Sequence, residues 1–336
     1  MKLGIVGAGF MGTTHAAGWA DTPATIVGFT AETPQEANAL AKHYATNIYS
    51  SLDEMLPDVD AVDICSPTHL HYEMALKAAA AGKHIVCEKP LARTTRQANE
   101  IVMACKKAGV QLLVAHVVRF FPEYALARAA VMEGQIGIPG VLRLHRGSYR
   151  PKKPAGNWFL DEVKSGGILM DLMIHDYDYA RWVAGEVESV SARRVTQLHP
   201  DAPVDYGLVI LGHRSGALSH IAGAWSYPPP TFRTHLEIAG DRGLIEFDSD
   251  GTAPIQNLIL RTAGSAGAPD VALPSSPVSE SPYTTQIKEF YRALADGTTA
   301  RVNATDGLVA VQIAEAALES AHTGQPVKLQ PLAEAQ

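Results

Sequence analysis

The run Gly7-Ala8-Gly9-Phe10-Met11-Gly12 constrains this chain more than any other feature. It follows the apolar stretch Leu3–Val6 and leads into the helix-patterned stretch Thr13–Ala20. G-x-G-x-x-G alone is common; between a buried strand and a helix it has a mechanical meaning. The first glycine permits a tight turn, the second lets a pyrophosphate approach the backbone, and the third lets helix pack close on strand. The ligand then meets the free N–H groups and the positive dipole end of the helix. Gly7, Gly9, Phe10, Met11 and Gly12 are therefore expected to cradle a dinucleotide.

The next hundred residues repeat the strand–helix alternation. Strands are expected at Ile26–Phe29, Ile48–Tyr49, Ala61–Cys65, His84–Cys87 and Gln111–Ala115. Helices are expected at Pro34–His43, Ser51–Leu56, Tyr72–Ala81 and Thr95–Ala108, with Gly82 and Gly109 as stops. Strands that are apolar throughout imply a parallel sheet covered on both faces, an α/β Rossmann arrangement over residues 1–120.

From about Phe121 the pattern changes. One helix, Glu123–Glu133, precedes strand-like segments at Val141–Tyr149, Val187–Gln197, Asp205–Leu211, Ala217–Trp225, Thr234–Ala239 and Gly243–Asp248. Turn residues at His213–Gly216 and Asp241–Gly243 make several of them hairpins. Residues 121–336 thus read as an α+β domain with a large, mostly antiparallel open sheet. Gly264–Ser281 reads as a loop, and Thr284–Asp296 and Thr305–His322 as closing helices. The 336 residues, 46% hydrophobic and 19% charged, suit two folded domains.

A formal charge of −7 gives no drive toward phosphate backbones, so nucleic acid is not an expected partner. The cysteines, Cys65, Cys87 and Cys105, form no C-x-x-C pair, which argues against a disulfide framework or structural zinc. No stretch of about twenty apolar residues signals a membrane span. The N-terminal apolar run is too short and glycine-broken for a signal peptide. A cytoplasmic location is expected.

The second strand ends in Thr30-Ala31-Glu32, where a dinucleotide fold normally carries the acid that binds the adenosine ribose. Ala31 or Thr30 fills the expected site and Glu32 sits one residue late; no Arg or Lys stands beside it. NAD and NADP both stay open. Ser66-Pro67-Thr68, with His69 and His71, lies at the carboxyl end of the fourth strand, beside the cofactor crevice. Glu88-Lys89-Pro90 follows the fifth strand, and proline keeps Lys89 extended. On these residues alone, Lys89 is equally a surface lysine or a catalytic one. In Ser165-Gly166-Gly167 … Asp171 … His175, the last two are four apart and are expected to share one helix face, the carboxylate orienting the imidazole. Asp176 and Asp178 point elsewhere on such a helix, which disfavours a metal site.

These segments together resemble the glucose–fructose oxidoreductase/inositol dehydrogenase family, Gfo/Idh/MocA. The likeness runs through the glycine loop with His15, Ser66-Pro67 with His71, Glu88-Lys89-Pro90, the Gly166–His175 block, and the closing Asp306-Gly307 … Gly324-Gln325-Pro326-Val327. The resemblance implies hydride transfer between a secondary alcohol of a sugar or cyclitol and NAD or NADP. It implies catalytic roles for Lys89, Asp171 and His175, cofactor contacts from Ala31, Glu32, Ser66, Pro67, Thr68, His71, Glu88 and Lys89, and a homodimer or homotetramer through the open sheet. Arg119, in Arg119-Phe120-Phe121-Pro122, is expected either to reach the substrate or to serve as a linker, and Trp158 is a candidate pocket wall. Competing readings are an NAD-dependent glycosidase or elimination enzyme that holds its NAD tightly, and a non-catalytic dinucleotide-binding protein.

Overall fold

Strands without a polar face need cover on both sides, and helices supply it in the first third of the chain. In a computed structural model, which describes residues 1–152, 157–196, 205–250 and 280–330, this part runs β1 (Lys2–Val6), α1 (Phe10–Ala20), β2 (Thr25–Thr30), α2 (Pro34–Tyr44), β3 (Asn47–Ile48), α3 (Leu52–Met55), β4 (Ala61–Ile64), α4 (Thr68–Ala80), β5 (His84–Cys87), α5 (Thr95–Ala108) and β6 (Leu112–Val114). All six strands are parallel, in the order β3-β2-β1-β4-β5-β6. This is the Rossmann order, as expected. Leu3, Ile5, Val62, Ile64, Ile85 and Val86 are fully buried. The order reverses between β1 and β4, which opens a crevice at their carboxyl ends.

Two helices start earlier than their patterns suggested. Helix α1 begins at Phe10, so the second half of the glycine run is already helical. Helix α4 begins at Thr68, straight after Pro67, so Thr68, His69 and His71 belong to its first turns.

The remainder runs α6 (Pro122–Met132), β7 (Pro139–Ser148), α7 (Glu162–Ser165), α8 (Gly167–Asp171), α9 (Ile174–Ala184), β8 (Val187–Thr196), β9 (Asp205–His213), β10 (Leu218–Trp225), β11 (Phe232–Gly240), β12 (Leu244–Asp248), α10 (Pro282–Asp296), α11 (Ala304–Thr323) and β13 (Val327–Lys328). Its strands form one sheet in the order β12-β11-β7-β10-β9-β8-β13. Only β7 and β10 run parallel, so the sheet is mostly antiparallel. Helices α8, α9 and α11 cover one face. The other face carries exposed Tyr206, Ile210 and Leu218. Most of the expected loop at 264–281 lies outside the described residues. Strand β13, only two residues long, leaves no pattern to read in advance.

A boundary near residue 120 separates the two sheets, but it does not separate the helices. Helix α10 returns to pack on α1, and α11 lies on both α5 and β8. The last helices thus close over the cofactor half instead of belonging to the second region alone. Among the described residues, no helix is long and apolar enough to cross a membrane.

Candidate active site

The glycine loop turns where its sequence requires it to. Gly7 has φ +100°, and a Cβ there would meet the Cys65 carbonyl at 2.6 Å. A Cβ on Gly12 would lie 1.9 Å from the Gly7 carbonyl oxygen. At Gly9 a Cβ would meet nothing within 4 Å, and no side chain caps the α1 N-terminus it begins. The open space and the uncapped amides fit a pyrophosphate. Phe10 is exposed beside them, and Met11 is partly buried. At the end of β2, Thr30 is buried, Ala31 partly buried and Glu32 exposed.

Beneath the loop lies a buried polar cluster. His15 Nδ1 is 2.8 Å from Asp63 Oδ2, and its Nε2 is 3.0 Å from Glu88 Oε1. Trp19 Nε1 donates to the same Asp63 oxygen at 2.6 Å. Burial by itself would keep the ring neutral, yet the Asp63 charge overrides it and holds His15 well above the ordinary imidazole range. His15, Asp63 and Cys65 lie within 4.8 Å of one another, close enough for a metal. Their protonation opposes that use. Burial pushes the Cys65 thiol far up, with the Asp63 charge adding to it, and His15 favours its charged form. A charged imidazole has no free lone pair, and a thiol that keeps its proton is a weak ligand.

The reacting groups come from two separate stretches. Lys89 sits at the carboxyl end of β5, just before a cis peptide to Pro90. Its ammonium donates to the Asp171 carbonyl at 2.7 Å and lies 3.5 Å from Asp171 Oδ1. Burial raises the Asp171 carboxyl above its ordinary range, and Lys89 opposes that rise. His175 is partly buried, and its Nδ1 has no hydrogen-bond partner. Burial first, then the charges of Lys89 and Arg146, hold its ring well below the ordinary range. A neutral imidazole thus lies within electrostatic reach of the Lys89–Asp171 pair, at the carboxyl end of β5.

The expected shared helix face is not there. Leu172 and Met173 interrupt the helix, so Asp171 ends α8 and His175 opens α9. No hydrogen bond joins Asp171 to His175 among the described residues. Asp171 therefore acts on Lys89 and does not orient the imidazole.

A model described as an oxidoreductase family with an NAD-binding Rossmann fold matches residues 1–116, and one for the GFO/IDH/MocA C-terminal domain matches residues 124–246. The chain belongs to the Gfo/Idh/MocA family of oxidoreductases. A myo-inositol 2-dehydrogenase of Thermotoga maritima is 29% identical over 340 residues, covering 98% of this chain and 99% of its own length. An inositol 2-dehydrogenase of Rhizobium meliloti is 30% identical over 332 residues, covering 95% and 96%. A levoglucosan dehydrogenase solved with NADH and levoglucosan superposes with a TM-score of 0.82 at 27% identity, covering 98% of this chain and 99% of that one.

In this Gfo/Idh/MocA chain, three residues expected to touch ligands are committed elsewhere. Arg119 is 1% exposed. Its Nε and Nη2 fork onto Asp178 at 2.8 and 2.6 Å, and its Nη1 reaches Asp306 at 3.2 Å and the Arg301 carbonyl at 2.7 Å. It is a buried tie to α9 and α11 and does not reach a substrate. His71 is buried with Nδ1 2.8 Å from the Pro90 carbonyl and Nε2 2.8 Å from the Ser66 carbonyl. Burial keeps it below the ordinary range, so its single N–H serves one carbonyl at a time. It staples the turn after β4 to the turn after Lys89, which commits both ring nitrogens to the backbone. Glu88 spends one oxygen on His15 and the other on the Lys89 amide, at 3.0 Å each, so it braces the lysine turn. The Ser66 hydroxyl rests on Met74 Sδ at 3.3 Å, Thr68 is buried and Pro67 is partly buried. Trp158 stacks on Phe159 with ring centroids 4.0 Å apart, in a short turn before α7.

Sequence reading missed His116 and Arg146. His116 follows β6 and is fully buried, with neither ring nitrogen hydrogen-bonded. Arg146 shares the inward register of β7 with Leu142 and Leu144. A charge on the apolar parity of a strand was the signal that could have found it.

Proposed function

We propose that the protein transfers a hydride between a secondary alcohol of a sugar or cyclitol and NAD. The observation that carries this reading is the placement of the Lys89 ammonium against Asp171, next to an imidazole kept neutral, at the sheet edge that also bears the glycine loop. Bound NAD supplies the hydride acceptor. His175, neutral and with no hydrogen bond to compete, takes the hydroxyl proton at its accessible side. Lys89 donates a hydrogen bond to the reacting oxygen and stabilises the developing alkoxide. Asp171 keeps that ammonium in place. Trp158 offers an apolar wall for a ring face, the usual complement to polyol hydroxyls. The polyol dehydrogenases among the relatives support this substrate class.

NAD is favoured over NADP. The stretch from Ile26 to Ala41 holds no lysine or arginine to pair with a 2′-phosphate, and Glu32 would repel one. The open face of the second sheet, with Tyr206, Ile210 and Leu218 exposed, suits a second copy of the chain in a homodimer or homotetramer. The free cysteines fit the reducing cytoplasm.

The test is purified protein with NAD or NADP and a panel of myo-inositol, scyllo-inositol, D-glucose and levoglucosan. Reduction of NAD in preference to NADP by at least one of them is expected. No reduction by any, with NAD retained through dialysis, would overturn the dehydrogenase reading in favour of elimination chemistry on a tightly held cofactor. Light scattering on the same sample should give a mass above that of one chain.

A further inference from the structure

His175 stands on the first turn of α9, where no hydrogen bond orients its Nδ1. The next residue on that turn is Asp176, which is fully buried. Arg146, 3% exposed, meets it from β7. The guanidinium Nε donates to Asp176 Oδ2 at 2.8 Å and Nη2 donates to Oδ1 at 2.9 Å. Both carboxylate oxygens are thus engaged in a planar fork. The pair joins the inward face of the second sheet to the residue beside the imidazole. Two residues on, Arg119 forks onto Asp178 from the other side, but that arginine also serves Asp306 and the Arg301 carbonyl.

We propose that Arg146, held by Asp176, is the positioning residue for His175: the fork anchors the first turn of α9 to β7 and presents a fixed cation to the imidazole. The groups around the ring allow that assignment. Lys89 faces it from the turn after β5, His116 from the end of β6 and Arg146 from β7, while Asp171 ends the neighbouring α8 and Asp176 and Asp178 share its own helix. Lys89, paired with Asp171, also lowers the ring, and by more than Arg146 does. His116 is itself kept neutral by burial. Of the Arg146–Asp176 pair, the cation is the member that lowers the ring. A carboxylate hydrogen-bonded to Nδ1 would raise the basicity of the imidazole and hold its proton. A remote cation does the reverse, so the ring is free to accept a proton and quick to release it.

The proposal rests on the reading of His175 as the general base, but the ring can be followed without any substrate. Histidine-selective NMR on the full chain with NAD provides the readout, with the His175 signal assigned by its loss in His175→Asn. In the wild type the ring should stay neutral well below 6.5. Arg146→Met should move the titration upward, toward 6.5. Arg146→Lys, which keeps a cation, should stay near the wild type. Asp176→Asn should also keep the ring neutral, because the cation remains. An unmoved titration in Arg146→Met would overturn the proposal. So would an upward shift of equal size in Arg146→Lys or Asp176→Asn, which would report loosened packing instead of lost charge. If Arg146→Met does not fold, Arg146→Met/Asp176→Asn removes both buried charges and takes its place, with the same upward shift expected. The functional reading fails separately: His175→Asn with wild-type turnover would remove the base and leave the titration result standing.

Discussion

The cofactor cradle and the reaction site lie at the same edge of one sheet but are made of different material. The cradle is backbone, built from Gly7 to Gly12 in a single stretch of chain. The reaction site is side chains, brought from β5, β7, α8 and α9 and held by buried ion pairs. A backbone site tolerates changes in its surroundings and fails when a Cβ intrudes. A side-chain site tolerates local change and fails when a distant partner of a buried charge is lost.

The largest effect should come from the reaction side. Lys89→Met should lower kcat/KM by about 10³-fold through lost alkoxide stabilisation, with NADH affinity by fluorescence titration nearly unchanged. Wild-type turnover in this variant would place the chemistry elsewhere.

The second test asks whether the buried pairs carry the weight assigned to them. Arg119→Met leaves Asp178 without its fork and weakens the hold on Asp306, and should cost about 3 kcal/mol in chemical denaturation. Arg96→Ala, which breaks the exposed pair with Glu100, should cost less than about 0.5 kcal/mol. Equal losses would erase the distinction between the two kinds of site.

The cradle should respond to a single methyl group. Gly9→Ala meets no protein atom, so its stability should match the wild type. The methyl points into the space a pyrophosphate needs, and KM for NAD should rise by about tenfold. An unchanged KM, measured at saturating substrate, would move the phosphate away from Gly9.

The smallest expected effect concerns pH, and its sign differs between the two regions. The folded-state pKa of His15 is raised by Asp63, so its contribution to stability is complete below 6.5 and fades as pH rises through the folded value. His175 and His116 are lowered by burial, so they destabilise the fold as pH falls below 6.5. His15→Gln should therefore lose more stability at about pH 6 than at about pH 9, and His116→Phe should soften the acid side of the wild-type curve. Urea midpoints at both pH values decide it.

The contrast also explains what could be read from the chain. Strand and helix order in the cofactor half followed from consecutive apolar runs, and the glycine loop from six adjacent residues. The second sheet followed from alternation along each strand. The link between Asp171 and His175 did not, because a spacing of four assumes an unbroken helix. Tertiary packing breaks it. Fully buried Met173 seats against β9 and β10, where Cβ atoms on Gly207 and Gly223 would fall 2.7 and 2.5 Å from its side-chain atoms. Those two glycines lie more than thirty residues downstream, beyond any local pattern. The arginine forks were illegible for a related reason: each joins residues whose proximity only the completed sheet creates.

The return of α10 onto α1 has a consequence for how the protein is made. The ribosome releases the glycine loop and every strand of the first sheet long before residues 282–296 emerge. Until then the outer surface of α1 has no cover, and Tyr283, which faces His15 and Glu88 in the finished fold, is not yet in place. A nascent chain can therefore assemble its nucleotide sheet early, but must wait for residues 282–296 before that sheet is sealed.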